Sequence, residues 1–122
     1  MKVAIMQPYF FPYIGYFQLI NAVDVFVVYD DVNYIKKGWI NRNTILVNES
    51  SHLFSVPLQN MSQNKLINEI EISESNKWKI DFLKTINASY KKAPFYAGVY
   101  PVIEKIINFN QPNLALYIQY SI

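Results

Sequence analysis

Three segments of this chain carry side chains that can do chemistry. The first is Gln7-Pro8-Tyr9-Phe10-Phe11-Pro12-Tyr13-Ile14-Gly15-Tyr16. Flat aromatic faces such as Tyr9, Phe10 and Tyr16 stack on sugars or bases, and the Gln7 amide offers both a donor and an acceptor. Gly15 at a helix start permits close approach of the backbone to a ligand, including a phosphate on helix N–H groups. The same aromatics can instead pack under a sheet as core. The second segment is Asp30-Asp31. Adjacent carboxylates can hold Mg²⁺, bind a ribose or sugar hydroxyl, or act as a general base. Asp also starts turns, which is the plainer use of the pair. The third segment holds Lys36, Lys37, Trp39, Asn41, Arg42 and Asn43, with Arg42 the only arginine of the chain. A guanidinium grips phosphate or carboxylate bidentately and lysines add point charge. A nucleotide-sugar or another anionic substrate suits that set; a solvated basic loop anchored by Trp39 is the competing reading. The one histidine, His52, lies in an apolar run and reads as a strand or surface residue. There is no nucleophile signature, no metal site is assigned, and the residues name no cofactor.

These groups need elements to position them. Val3-Ala4-Ile5-Met6 is a short apolar run that reads as a buried strand, stopped at Gln7-Pro8 because Pro8 cannot donate to a ladder. Residues 14–22 place Ile14, Phe17, Leu19 and Ile20 so that a short helix would be buried over much of its surface. Val25-Phe26-Val27-Val28-Tyr29 is β-branched and aromatic, a second buried strand. Strand, helix and strand within about 30 residues make a βαβ unit with a parallel crossover. Open parallel sheets bind ligands outside the carboxyl ends of their strands. The aromatic loop and Asp30-Asp31 are therefore expected side by side at one edge.

Downstream, residues 44–47 and 53–58 predict a hairpin around Asn48-Glu49-Ser50-Ser51, and residues 67–72 predict a half-exposed strand. Asn76 is placed to cap a helix with Trp78, Phe82, Ile86 and Tyr90 at spacing four, a stripe that reads as core. Pro94 ends it. Residues 99–109 form another helix candidate with Pro101 near its first turn. Asn113 can cap a last helix carrying Leu114, Leu116, Tyr117, Ile118 and Tyr120. If the chain is a piece of a longer one, residues 114–122 would be an exposed stump, open to self-association through Leu114, Tyr117 and Ile118; a naturally short chain is the alternative.

Composition narrows the classes. The chain has 122 residues, the size of one ordinary domain. Apolar residues make up 52% and charged residues 16%, so there is ample apolar surface to offset ordering entropy. Aromatics reach 16%, with ten Tyr and eight Phe, and this is the unusual number. There is no Cys, which excludes disulfides, zinc fingers, iron–sulfur clusters and a thiol nucleophile. A reducing cytosol is the expected home, with no basic-then-apolar leader at the start. Residues 3–23 are almost uncharged, but two prolines and several polar groups make them a poor membrane span. A net charge of +2 gives little field for nonspecific nucleic-acid binding.

Four stretches together resemble the WbqC-like family of bacterial proteins: VAIMQPYFFPYIGYFQLI, DVFVVYDDVNYIKKGWINRN, SVPL at residues 55–58 and SYKKAPFY at residues 89–96. The resemblance spans nearly the whole chain and is most specific over its first 43 residues. It implies a place in gene clusters for surface polysaccharide, notably O-antigen, and transfer of an amino acid such as glycine onto a sugar. Its motif falls on Gln7, Pro8, Pro12, Gly15, Tyr16, Asp30, Asp31, Lys36, Trp39, Asn41, Arg42 and Asn43. Family proteins are usually longer, so residues 1–122 are expected to form one α/β domain at the N-terminal part of a longer architecture. A weaker similarity links the opening unit to the nucleotidylyltransferase-like fold, although Pro12-Tyr13-Ile14-Gly15-Tyr16 lacks that fold's two signature histidines.

The fold expected from all this is α/β: a mainly parallel sheet opening with a βαβ unit of Rossmann or nucleotidylyltransferase-like type, then C-terminal helices. The expected function is cytoplasmic modification of a sugar or nucleotide-sugar for surface polysaccharide, with Asp30 or Asp31 as base or hydroxyl acceptor. Lys36, Lys37 and Arg42 would hold anionic groups, and Tyr9, Phe10 and Trp39 would form a stacking wall. The alternatives are a noncatalytic nucleotide- or carbohydrate-binding module and a nucleotidylyltransferase-like enzyme.

Overall fold

The computed structural model describes residues 1–60 and 62–122. The chain opens with strand β1 (Val3–Met6), helix α1 (Ile14–Ala22) and strand β2 (Val25–Val28). β1 and β2 pair in parallel, with Val3 opposite Val25 and Ile5 opposite Val27. The βαβ unit is thus formed as its hydrophobic pattern requires. One face of the pair, Ala4, Phe26, Met6 and Val28, turns toward α1. There the buried Tyr16 ring meets Phe26 edge-on at 5.4 Å between centroids. The other face is bare: Val3, Ile5, Val25 and Val27 are all exposed, Ile5 to 60%.

The sheet does not grow beyond these two strands among the described residues. β3 (Arg42–Val47) and β4 (Ser50–Ser55) form an antiparallel hairpin, and β5 (Leu58–Gln59) pairs antiparallel with β6 (Glu71–Ile72). The expected mainly parallel, Rossmann-like sheet is therefore corrected to a mixed α/β fold with small two-stranded sheets. The reason is local. Asn48 and Glu49 both have positive φ (50° and 64°), the geometry of a two-residue turn whose twist matches an antiparallel pair. A parallel partner would instead need a crossover of a dozen or more residues. The turn is also tighter than the four-residue loop read from composition. Residues 67–72 hold a 3₁₀ turn (Ile67–Glu69) before β6, not one strand.

Three further helices follow: α2 (Lys77–Tyr90), α3 (Tyr96–Ile107) and α4 (Leu114–Tyr120). Asn76 precedes α2 in a helical conformation without a side-chain cap, whereas the Asn113 Oδ1 accepts from the Leu116 N–H at 3.1 Å and caps α4. α3 begins three residues earlier than its pattern suggests, so Pro101 lies in its second turn. The main core joins Phe10, Tyr34, Ile40 and Val56 to Ile67, Ile70, Phe82, Ile86, Ile107, Leu114, Tyr117 and Ile118. Trp78 packs edge-on to Tyr117 at 6.1 Å. Leu114, Tyr117 and Ile118 are fully buried here, which corrects the expectation that they form an exposed, self-associating stump. Tyr117 donates to the Ile107 carbonyl at 2.7 Å, and burial pushes its phenol well above the usual tyrosine range.

Candidate functional site

The end of the parallel pair sets the geometry. The register Met6 to Val28 is continued by a hydrogen bond from the Tyr29 N–H to the Met6 carbonyl at 2.7 Å. Gln7 and the start of the aromatic loop thereby run alongside Tyr29 and Asp30. A second set of bonds ties the aromatic loop to the basic segment. The Phe10 N–H donates to the Ile40 carbonyl at 3.2 Å, and the Asn43 amide donates to the carbonyls of Phe10 (3.2 Å) and Phe11 (2.7 Å). Two segments over 30 residues apart in sequence are joined by backbone and one asparagine.

Several candidate residues turn out to hold the scaffold. Phe10 is fully buried, stacked on Tyr117 with centroids 5.8 Å apart, so its place in a stacking wall is corrected to a place in the core. Tyr16 is buried too. Its hydroxyl donates to the Gln7 carbonyl at 2.8 Å, and burial, then the neighbouring Tyr9, pushes its phenol up to about 12. Asn41 is buried, accepting from the Tyr34 hydroxyl at 2.7 Å and donating to the Val56 carbonyl at 3.0 Å. For these three, burial in the fold replaces the ligand contact. Burial raises the Tyr34 phenol as well, against the opposing pull of Arg42 and the Asn41 hydrogen bond.

Arg42 is turned on its own loop. Its Nε donates to the Gly38 carbonyl at 2.9 Å, a terminal nitrogen donates to the Lys37 carbonyl, and the guanidinium carbon lies 5.6 Å from the Trp39 ring centre. Lys37 in this loop has a positive φ of 60°. Gly15 sits at the start of α1 beside the exposed Tyr13 ring, whose Cε2 would lie 2.4 Å from an added Cβ. Tyr9 is half-buried and tilted against Tyr16 at 5.7 Å. Lys36, Lys37, Trp39 and Asp31 are exposed.

The acid pair opens onto a groove of about 820 Å³ lined by Ile5, Val27, Val28, Tyr29, Asp30, Asp31 and Asn68. Asp30 is partly buried. Its carboxylate accepts from Gln119 Nε2 at 3.2 Å, and its carbonyl accepts from the Asn68 N–H at 3.1 Å. Asn68 in turn is fixed by Asn113, whose amide donates to the Asn68 carbonyl at 2.8 Å. The groove thus presents a half-exposed tyrosine ring, two carboxylates and an amide at the end of β2. Tyr29, Asn68 and Gln119 escaped the reading of the sequence. Tyr29 could have been found as the residue before the acid pair. Asn68 and Gln119 arrive from 38 and 89 positions beyond Asp30 and carry no local signal. No cluster of three or more His, Asp or Glu that could hold a metal forms among the described residues.

The sequence of this scaffold matches a family model, described as the WbqC-like protein family, over residues 7–122. The chain belongs to that family. This WbqC-like chain is similar to the uncharacterized protein Rv1507c of Mycobacterium tuberculosis, with 34% identity over 99 residues. The match covers 80% of this WbqC-like chain and 42% of that relative, so it spans less than half of the curated relative's length. No solved structure matches it. None of its described helices is long and apolar enough to cross a membrane.

Proposed function

We propose that this chain binds a sugar or nucleotide-sugar at the Tyr29–Asp31 groove, as part of an enzyme of bacterial surface-polysaccharide (O-antigen) biosynthesis. The reading is supported most by the groove itself: an aromatic face, two carboxylates and an amide converge at the carboxyl end of a parallel pair. A ring such as Tyr29 covers the apolar face of a pyranose, and carboxylate and amide groups share its hydroxyls. Asp30, oriented by Gln119, is the positioning carboxylate, and the exposed Asp31 is the hydroxyl acceptor or general base. In transfer of an amino acid such as glycine from an activated acyl donor, Asp31 takes the proton of the attacking sugar hydroxyl or amine as the new acyl bond forms, and the bond between the donor's carbonyl carbon and its carrier breaks, releasing the carrier as the leaving group. Lys36 and Lys37 supply charge for the anionic part of the substrate. The chain acts in the cytoplasm as one domain of the longer family architecture. The weaker likeness to nucleotidylyltransferases would shift the substrate to ATP.

A noncatalytic binding module is the second reading, and Arg42 favours it. Its guanidinium is engaged with the carbonyls of its own loop, which weakens the case for an anion clamp at a reaction centre. Thermal-shift titration with a panel of nucleotide-sugars, free sugars and ATP separates the readings. A nucleotide-sugar that binds the parent chain and loses about tenfold in affinity (about 1.4 kcal/mol) on Tyr29→Ala supports the groove. Asp31→Asn that keeps affinity but abolishes turnover in a full-length family member makes Asp31 the base; unchanged turnover makes this a binding module. Binding of ATP alone overturns the sugar reading.

A further inference from the structure

A second cavity, sharing no residue with the groove, lies between the β3–β4 hairpin, α2 and α3. It has a volume of about 400 Å³. Each wall contributes residues at the spacing of its own element: Ile45 and Phe54 from the hairpin, Phe82, Ile86 and Tyr90 from α2, and Tyr96, Val99 and Ile103 from α3. Protein interiors are close-packed, with few voids larger than a water molecule. Apolar cavities of about 150 Å³ stay dry and take up benzene. The space here is larger and within the range of small-molecule sites, about 300–1,000 Å³. It is also mainly apolar. Of its four polar lining side chains, three are engaged elsewhere and the fourth is the exposed Thr44. The Asn43 amide holds the Phe10 and Phe11 carbonyls, the Tyr90 hydroxyl accepts from the Leu46 N–H, and the Tyr96 hydroxyl donates to Asn87. An occupant of hydrocarbon matches most of this lining.

The mouth differs from the walls. Between the lining residues Tyr90 and Ala93 stand Lys91 and Lys92, both exposed. Glu104 of α3 is a carboxylate whose charge acts on the Tyr96 phenol. Two aromatics, one in the lining and one next to it in sequence, hold left-handed backbone conformations. Phe11 (φ 47°) lines the cavity, and Phe95 (φ 65°, 86% exposed) stands between the lining residues Pro94 and Tyr96. Such conformations are costly for bulky residues and gather at ligand clamps.

We propose that this cavity binds a single alkyl or acyl chain with an anionic headgroup, the chain between α2, α3 and the hairpin and the headgroup at Lys91 and Lys92. The headgroup can be carboxylate or phosphate, since both meet lysine as point charges. Dodecanoate and dodecyl phosphate, each below its micellar concentration, are titrated against the intact chain by isothermal calorimetry. Saturable binding is expected for both, and the preference between them tells carboxylate from phosphate. Val99→Trp puts an indole into the mouth from a half-exposed position and is expected to weaken both by about tenfold or more (about 1.4 kcal/mol). Lys91→Glu with Lys92→Glu is expected to weaken both without changing the circular-dichroism spectrum. In the parent chain, ligand methylene protons are expected to show NOEs to the Phe54 and Phe82 rings, a readout that needs no variant. Absence of saturable binding, absence of those NOEs, or unchanged affinity in Val99→Trp overturns the site. Equal binding of dodecyltrimethylammonium overturns the anionic headgroup.

Discussion

The β1–α1–β2 unit and the body that follows it bury their apolar residues in opposite ways. The body gathers Phe10, Tyr34, Ile67, Phe82, Ile107, Leu114, Tyr117 and Ile118 into one cluster that no residue of β1, α1 or β2 joins. The opening unit has Tyr16 and Ala4 buried on its covered side and Val3, Ile5, Val25 and Val27 exposed on the other. Parallel sheets normally have both faces covered. A region with few buried apolar contacts opens at lower free energy than the core beside it. The unit that carries the candidate groove is therefore held in place by attachments, chiefly Phe10, Asn43 and the Asp30–Asn68 and Asp30–Gln119 bonds, more than by a core of its own. A strong hydrophobic pattern in a strand shows that its faces are apolar; it does not show what meets them.

This contrast can be broken or sharpened by substitution. The largest effect is expected at Phe10, which begins next to the unit and ends inside the body. Phe10→Ala should cost about 3–5 kcal/mol in urea denaturation and lower the stability of the whole chain. A loss below about 1 kcal/mol would sink the view that the body's core reaches into the aromatic loop. Asn43→Ala removes two amide donors from the loop and should cost about 1–3 kcal/mol. Its signature is regional: hydrogen exchange should rise more in residues 3–28 than in α2. Equal rises in both would mean that the unit is not separately attached.

Tyr16→Phe removes one hydrogen bond inside the unit and should cost about 1 kcal/mol at neutral pH. Its pH dependence carries the sign of the raised phenol. Because the folded value is about 12 and the free phenol ionises near 10, the stabilisation is complete below about pH 10. It is lost as pH rises toward 12, because the unfolded chain releases the proton first. The difference between parent and Tyr16→Phe should shrink over that window in denaturation curves taken at stepped pH; a widening difference would reverse the assignment. The smallest effect is expected at Gly15. The atoms nearest its added Cβ belong to the movable, exposed ring of Tyr13, and Ala is favoured over Gly in helices by up to about 1 kcal/mol. Gly15→Ala should therefore be neutral or slightly stabilising by thermal melt. A loss of ligand affinity in that variant, with stability intact, would restore Gly15 to a phosphate-binding role.

What could be read from the sequence followed from periodicity and turn chemistry. β1, α1 and β2 were legible because three apolar runs of different period stand close together, and α4 because Asn113 precedes a clean apolar run. Among the described residues the parallel sheet stops at two strands. The βαβ signal describes two strands, and extending it assumed later crossovers that the Asn48-Glu49 turn replaces with a hairpin. Among the site residues, Asp31, Lys36, Lys37 and Trp39 lie on the surface, and Asp30 lines the groove. Phe10, Tyr16 and Asn41 went inward because a dense aromatic or amide motif serves packing and backbone satisfaction as readily as it serves a ligand. No local pattern separates those uses. Residue type shows what a side chain can do, but burial depends on partners such as Tyr117 and Val56, far along the chain.

The two tryptophans divide along the same line, and that makes the molecule its own optical gauge. Trp78 is packed against Tyr117 in the body, while Trp39 is half-exposed beside the Arg42 guanidinium on the loop attached to the opening unit. Emission from Trp39 should lie to the red and respond to iodide, and emission from Trp78 should lie to the blue and resist it. Replacing either indole by Phe leaves a chain that reports on one neighbourhood alone. Loosening of the loop and melting of the core then become two separable signals from unlabelled protein.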